Sequence, residues 1–404
     1  MSSLKHLSGK AVIAGYGDAY SPRDNPVSPM TLAVDAAVRC MKDAGVSRDD
    51  IDGILTTREP FGDYRPQWNN VFASHMQIAP RYSTQVMIHA VGANSMLKHA
   101  MIAVTSGAAD YVLCVVTDGG MAFVDMADMS SVLELDTQFE LPYGAWMPAL
   151  YAMVCRRYMH DYGVTVEDVA TASVVHQEWG RRHPEAEKYS KGPITVDDVL
   201  SSREIASPLT LWMCSIWRRA GTAGAFLVTT AERAADLDCT PIYILGSSEY
   251  VISDSYMDKM SFRGVHPLLG QQPTLTTTPA MAAARQAYEM AGVSAADMQI
   301  AQTNSNFAHQ SMIMLEDLGF CGKGEAAGFI ADGHTSPGGS LAYNTNGGML
   351  SFGQGGVSCI MDGEIELVRQ LRGEALGLQV NCDIGLAQAL SPASSSVTIL
   401  SSRR

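Results

Sequence analysis

Two stretches separated by roughly 250 residues carry the same order of apolar and polar positions. An apolar run, Ala11 to Gly15, precedes a segment with helical apolar spacing, Leu32 to Ala44; the stop Gly45-Val46-Ser47 and a second apolar run, Ile51 to Leu55, follow. The order recurs in Ile242 to Gly246, Pro279 to Ala291, Gly292-Val293-Ser294, the polar turn Ala295-Ala296-Asp297 and Met298 to Ala301. Short continuous apolar runs predict buried strands, three-to-four spacing predicts helices, and glycine marks where each helix stops. A duplicated α/β domain accounts for both stretches, with one half at 1–235 and the other at 236–404.

The halves differ most between 119 and 208. Helical patterns at Met147 to Tyr162 and Val166 to Arg182 make this stretch an inserted cap rather than a loop. Leu227 to Thr230 is expected to return to the first sheet, and Asp236 to Pro241 to link the halves. The tract from Gly333 to Gly356 alternates glycine with Leu, Tyr and Met and runs into a predicted helix, Ile360 to Leu371. Glycine lets backbone come close to a ligand, which makes Gly347 and Gly348 candidate substrate-binding positions.

Composition narrows the class. Of 404 residues, 47% are hydrophobic and 17% charged, which fits a packed globular enzyme and excludes a disordered chain. A net charge of -14 has the wrong sign for nucleic acid or an anionic membrane. The eight cysteines are scattered with no metal-ligand spacing, so no metal site is expected and a reducing cytoplasm is the expected compartment. Met1 to Lys10 lacks the apolar core of a secretory signal, and no apolar run reaches the roughly 18 residues of a membrane span.

Three stretches are more specific: Ser106-Gly107-Ala108-Ala109-Asp110-Tyr111-Val112-Leu113, Leu315-Glu316-Asp317-Leu318-Gly319-Phe320-Cys321, and Ser336-Pro337-Gly338-Gly339 leading into Asn344-Thr345-Asn346-Gly347-Gly348. With Val368-Arg369-Gln370-Leu371-Arg372-Gly373-Glu374, they resemble the thiolase superfamily, in particular sterol-carrier-protein-type thiolases and their lipid-transfer-protein and aldolase relatives. The resemblance covers nearly the whole chain. It implies a duplicated five-layered α-β-α-β-α fold, a homodimer and a coenzyme A thioester as substrate, with no intrinsic cofactor. It also implies a small zinc-ribbon and oligonucleotide-fold-like partner subunit, common among relatives of this type.

The departures from the family pattern carry the chemistry. By the family spacing the nucleophilic cysteine falls on Ala90, a substrate-contact position here, and His89 beside it is a candidate base. The second motif reads Asn304-Ser305-Asn306-Phe307, in which Asn304 keeps the amide that holds a thioester oxygen. The third reads Gly353-Gln354-Gly355; Gln354 donates an N–H but is no base. Tyr343 lies near it, and side-chain aldolases of this superfamily use tyrosines as acid and base. Cys382-Asp383-Ile384-Gly385 approximates the fourth motif, which makes Cys382 a candidate acid. Arg218 and Arg219 stand where the family places a coenzyme A segment and are candidate phosphate contacts. His309 and His334 rank below these, and Met121, Met126, Met129 and Met147 are candidate lining for an acyl pocket.

Losing the nucleophile removes acyl transfer, whereas an amide, a second N–H donor and an acid are what a thioester enolate needs. The expected reaction is therefore (retro-)aldol cleavage of a coenzyme A thioester without a cysteine-acyl intermediate. The alternatives are a catalytically silent thiolase-like subunit or acyl-CoA-binding protein, and a thiolase with a displaced nucleophile.

Overall fold

The computed structural model describes residues 4–21, 24–57, 63, 65–88, 91–119, 138, 141–143, 147–215, 220–252, 264–267, 269–391 and 393–404. The strands of the main sheet are β1 (Ala11–Tyr20), β2 (Gly53–Thr56), β3 (Tyr82–Gln85), β4 (Val112–Asp118), β7 (Thr222–Thr230), β8 (Ile242–Val251), β9 (Ile300–Gln302), β10 (Ala342–Tyr343), β11 (Ile384–Leu390) and β12 (Ser394–Ser401). A separate ladder pairs β5 (Glu204–Ala206) with β6 (Leu209–Thr210).

The order β10-β9-β11-β12-β8-β1-β7-β4-β2-β3 reads the same outward from its middle in both directions. On one side β1, β7 and β4 are antiparallel neighbours and β2 and β3 continue in parallel. On the other side β8, β12 and β11 are antiparallel and β9 and β10 are parallel. Among the described residues the two five-stranded units pair through Val12↔Tyr243 and Ile13↔Ile242.

The longer helices are α1 (Pro29–Asp43), α2 (Trp68–Met76), α3 (Gly92–Thr105), α4 (Met147–Tyr162), α5 (Val166–Gly180), α6 (Ala280–Ala291), α7 (Ala308–Asp317) and α8 (Cys359–Arg372). The sequence repeat is a structural one. Helices α1 and α6 are each followed by a 3-10 turn closed by a reciprocal serine–aspartate cap, Ser47 with Asp50 and Ser294 with Asp297. Both helices press on their strands through a glycine: a Cβ at Gly17 would lie 2.2 Å from the Ala36 carbonyl oxygen, and one at Gly246 would lie 2.3 Å from that of Ala287.

Helices α3 and α8 fill the middle, touching each other and strands of both units. With α1 and α2 outside one sheet and α6 and α7 outside the other, the layers alternate α-β-α-β-α. Burial on every side explains why α3 and α8 carry few exposed residues. It also explains the small residues of Ala220 to Ala225, which belong largely to β7 and not to a ligand loop. A Cβ at Gly224 would meet Met361 Sδ of α8 at 2.7 Å.

A charged contact ties α3 to the second sheet: Lys98 Nζ donates to Glu249 Oε1 (3.2 Å), and His99 Nε2 lies 3.6 Å from Oε2. Burial disfavours the Glu249 carboxylate, but His99, Lys98 and Ser95 outweigh it and hold its pKa at about 2. A depressed carboxyl contributes stability that is present above its unfolded pKa of 4.5 and lost as pH falls toward 2. Glu249→Gln is therefore expected to flatten this acid limb, read as urea midpoints between pH 5 and pH 2.5.

The cap helices α4 and α5 lie between β4 and β7 in sequence. Thr165 and Asp168 close a capping box at the start of α5, which stops at Gly180, two residues short of the sequence expectation. Helix α5 packs on α7 and on the short helix Gly348–Ser351.

Candidate active site

The parallel strand β9 delivers Thr303 to Phe307 from its C-terminal end, the edge where open α/β sheets collect ligands. Asn304, 1% exposed, is fastened to β11: its backbone N–H donates to Gln388 Oε1 (3.1 Å) and its Nδ2 to the Leu390 carbonyl (3.1 Å). One N–H of this amide remains beyond the bond to Leu390. The Asn304 side-chain oxygen accepts from the Asn306 N–H (3.4 Å), which fixes the orientation of the amide.

Cys214 and Ser215 stitch this motif to the next. Cys214 bridges Phe307 in antiparallel register, and the Ser215 N–H donates to the Asn306 carbonyl (2.8 Å). The Ser215 hydroxyl donates to Gln354 Oε1 (3.0 Å), an orientation that leaves the Gln354 amide N–H groups for another acceptor. Ser215 thus ties the Asn304–Phe307 segment, at the Asn306 carbonyl, to the Gln354 side chain. From the other half, Asp118 at the end of β4 accepts from the N–H groups of Val357 (2.6 Å) and Ser358 (3.2 Å), anchoring the loop after Gln354 at the start of α8.

The Gly-rich tract folds inward. Gly347 has φ +95 and its Cβ would lie 2.6 Å from Gly180 Cα; a Cβ at Gly348 would lie 2.4 Å from Ser305 Oγ. The close approach these glycines permit is to α5 and Ser305, where the Met349 N–H donates to Ser305 Oγ (2.9 Å). Asn344 is positioned from the cap: its Nδ2 lies 3.1 Å from His176 Nε2 on α5. Burial pushes the His176 pKa to about 4, so this imidazole is neutral.

Tyr343 and Cys382 do not join the site. The Tyr343 hydroxyl bonds Thr303 Oγ1 (2.6 Å) and donates to the Ser311 carbonyl (2.9 Å), and burial raises its pKa well above the phenolic range. These bonds make it a brace beneath the Asn304 loop. Cys382 precedes β11, whereas Asn304 is held at that strand's far end by Leu390; eight residues of extended chain separate the two places by roughly 25 Å. The turn beside Asn304 is the β11–β12 hairpin, where the Ser391 and Ser394 hydroxyls bond each other. A cysteine and a glycine at near-family spacing misled the sequence reading because the strand starts between them.

None of the eight thiols is prepared as a thiolate. Burial raises the pKa of every one: Cys382 to about 11, Cys155, Cys214 and Cys321 to about 12, and Cys40, Cys114, Cys239 and Cys359 likewise upward. Cys359, at the start of α8, donates to the Gly356 carbonyl (2.8 Å).

His89, Ala90, Arg218, Arg219, Met121, Met126 and Met129 lie outside the described residues. Met147 opens α4, half-buried. His309 is fully buried against Phe307 and Tyr151, and burial pushes its pKa to about 3. His334 stacks on Phe329 and bonds Ser340 Oγ (2.8 Å), a turn-closing role. Ser215, Gln388, Asp118 and His176 left no signal in the sequence, because each acts on a segment far along the chain. Among the described residues no group of His, Cys, Asp or Glu is placed to hold a metal ion, and no helix is long and apolar enough to cross a membrane.

Residues 264–402 match the family model described as thiolase C-terminal domain-like. The chain is 35% identical over 386 residues to the 17-hydroxy-3-oxo-4-pregnene-20-carboxyl-CoA lyase of Mycobacterium tuberculosis, covering 92% of this chain and 93% of that one. It is 31% identical over 386 residues to the steroid side-chain-cleaving aldolase of Thermomonospora curvata, covering 92% of each. The solved structure of an Ltp2-ChsH2(DUF35) aldolase superposes with a TM-score of 0.85 at 30% identity, over 98% of this chain and 99% of that one.

Proposed function

This chain belongs to the thiolase superfamily, on its sterol-carrier-protein-type and aldolase-like side, and from that premise we propose that it cleaves the Cα–Cβ bond of a β-hydroxyacyl coenzyme A thioester. The observation that carries the reading is that Ser215 ties the segment following Asn304, at the Asn306 carbonyl, to the Gln354 side chain, at a site with no activated thiol. In this reading the two amides donate to one oxygen and stabilise a thioester enolate, and with every thiol held protonated the reaction runs without a cysteine-acyl intermediate.

In the retro-aldol direction a base takes the β-hydroxyl proton, and the sequence nominates His89 for that role. The C–O bond becomes a carbonyl, the Cα–Cβ pair moves to Cα, and the oxygen of the enolate rests against Asn304 and Gln354. One proton returned to Cα completes an acyl-CoA and a ketone or aldehyde, so no oxidant, metal or covalent adduct enters the balance. The lyase relative's named substrate has this pattern: the thioester carbonyl is carried on C20, the α-carbon, and the hydroxyl on C17, the β-carbon.

The working form in this reading is a homodimer that binds a small zinc-ribbon and oligonucleotide-fold-like subunit, in the cytoplasm, where eight unpaired cysteines are at home. The two halves and the cap keep the bounds proposed from sequence. The test is incubation of the chain, with and without that subunit, with 17-hydroxy-3-oxo-4-pregnene-20-carboxyl-CoA and shorter tertiary β-hydroxyacyl-CoA thioesters. The expected result is equal amounts of propionyl-CoA and ketone from the steroid thioester. Tight binding of every thioester with no product in any combination would instead establish a silent acyl-CoA-binding subunit.

A further inference from the structure

Glu364 is a carboxyl group for which neither the fold nor the site described above has a use. It lies on the inward face of α8, 1% exposed, with neither carboxylate oxygen in a well-formed hydrogen bond; the Asn94 side chain is the polar group that faces it. An uncompensated buried carboxyl is costly and a hydrophobic side chain would fill the position at less expense, so its presence calls for a use.

The surroundings point to one. Glu364 lines a polar cavity of about 20 Å³, enough for one water molecule, whose wall includes Asn304, Gln388, Gln302, Gly353 and Asp362. The side-chain oxygen of Gln302 in the same wall is without a partner. The cavity therefore touches both the amide assigned to the enolate oxygen and the residue before Gln354. On its other side Glu364 faces Asn94 in the first turn of α3. The cavity joins the three segments that converge on the site: the Asn304 loop, the Gln354 loop and α8.

We propose that Glu364, acting through a water in this cavity, delivers the proton that the thioester enolate takes up at Cα. This deepens the retro-aldol reading and rests on it. Glu364–H loses its proton to the water, the water gives one to Cα as the enolate electron pair forms the C–H bond, and the proton removed from the β-hydroxyl restores the acid. The net movement is one proton from oxygen to carbon, and Glu364 supplies the acid that Cys382 and Tyr343 are too distant or too committed to provide.

The charge state suits the task. Burial raises the Glu364 pKa to about 8, with Asn94 opposing, so the group is protonated at neutral pH yet close enough to titration to release a proton. The other ionisable groups about it are Cys114 on β4 and Cys359 and Asp362 on α8 itself; both thiols are raised by burial and stay neutral. A carboxyl whose folded pKa is raised costs stability as pH climbs from its unfolded value of 4.5 through 8. Glu364→Gln, which keeps the shape and cannot ionise, is expected to be more stable than the wild type at pH 8 and equal to it at pH 4.5 in urea unfolding.

The deciding experiment follows α-proton exchange of propionyl-CoA in D₂O by NMR, with the chain alone and with its partner subunit, for the wild type, Glu364→Gln and Glu364→Asp. The expected result is wild-type exchange, a loss of about 10²-fold in Glu364→Gln with propionyl-CoA affinity within twofold, and partial recovery in Glu364→Asp. Exchange by Glu364→Gln at the wild-type rate overturns the role of Glu364 and leaves the enolate reading intact. A parallel loss of affinity and exchange in Glu364→Gln means that the residue only holds the fold, which also overturns it. No exchange by the wild type overturns both.

Discussion

Asn304→Ala should lower kcat for cleavage of a β-hydroxyacyl-CoA by about 10²- to 10³-fold, with KM little changed, the cost of one missing donor to an oxyanion. The size follows from how firmly the amide is held. Gln388 takes its backbone N–H, Leu390 one side-chain N–H, and Asn306 occupies its side-chain oxygen, so no reorganisation is needed when charge reaches the enolate oxygen. Deleting a preorganised donor costs the transition state more than the ground state. Steady-state kinetics on purified complex check it, and a rise in KM at constant kcat would instead make Asn304 a substrate-binding residue only.

Arg369→Ala is the second large effect, here on stability. Arg369 Nη2 on α8 donates to both oxygens of Asp18 on β1 (3.1 and 2.9 Å), with side-chain exposures of 9% each. Tyr20 donates to Asp18 Oδ2 (3.1 Å), and the guanidinium lies 5.4 Å from the centre of the Tyr16 ring. Removing the guanidinium leaves the buried Asp18 carboxylate with the Tyr20 hydroxyl but no opposite charge, and also takes away the cation 3.6 Å from Glu185, which costs about 3–5 kcal/mol. The paired change Arg369→Met with Asp18→Asn removes both charges and should recover most of that loss, because desolvating a buried pair already consumes much of its attraction. Urea midpoints of wild type, single and double variants read the difference; additive losses would show that the two side chains act independently.

The repeat was legible because it rests on local chemistry. Gly45 and Gly292 end their helices in the left-handed region, φ +69 and +74, and a serine two residues later opens the same capped turn in both halves. The cap helices were legible from apolar spacing, with α4 matching Met147 to Tyr162 at both ends. Asn304 and Gln354, the amides proposed for the enolate, could be nominated because each follows the strand or turn that presents it. Cys382 misled because spacing along the chain does not say at which end of a strand a residue falls, and Tyr343 because a sequence does not reveal that a hydroxyl is already bonded twice. Gly347 and Gly348 suggest an opening for a ligand, whereas their missing side chains make room for α5 and Ser305. Ser215, Asp118 and Glu364 gave no signal, since what each does is decided by a partner at the other end of the chain.

The two-residue seam between β1 and β8, with α3 and α8 lodged between the sheets, bears on how the chain is made. Helix α8 spans Cys359–Arg372, so during synthesis the first sheet, covered on its inner side by α3, waits for α8 until the second half has been made. An apolar face left waiting invites association with other nascent chains, and a holding chaperone would shield it. For the same reason each half, expressed apart, is expected to aggregate, and the two expressed together to reassemble, each providing the packing the other lacks; soluble yield of the halves apart and together checks it.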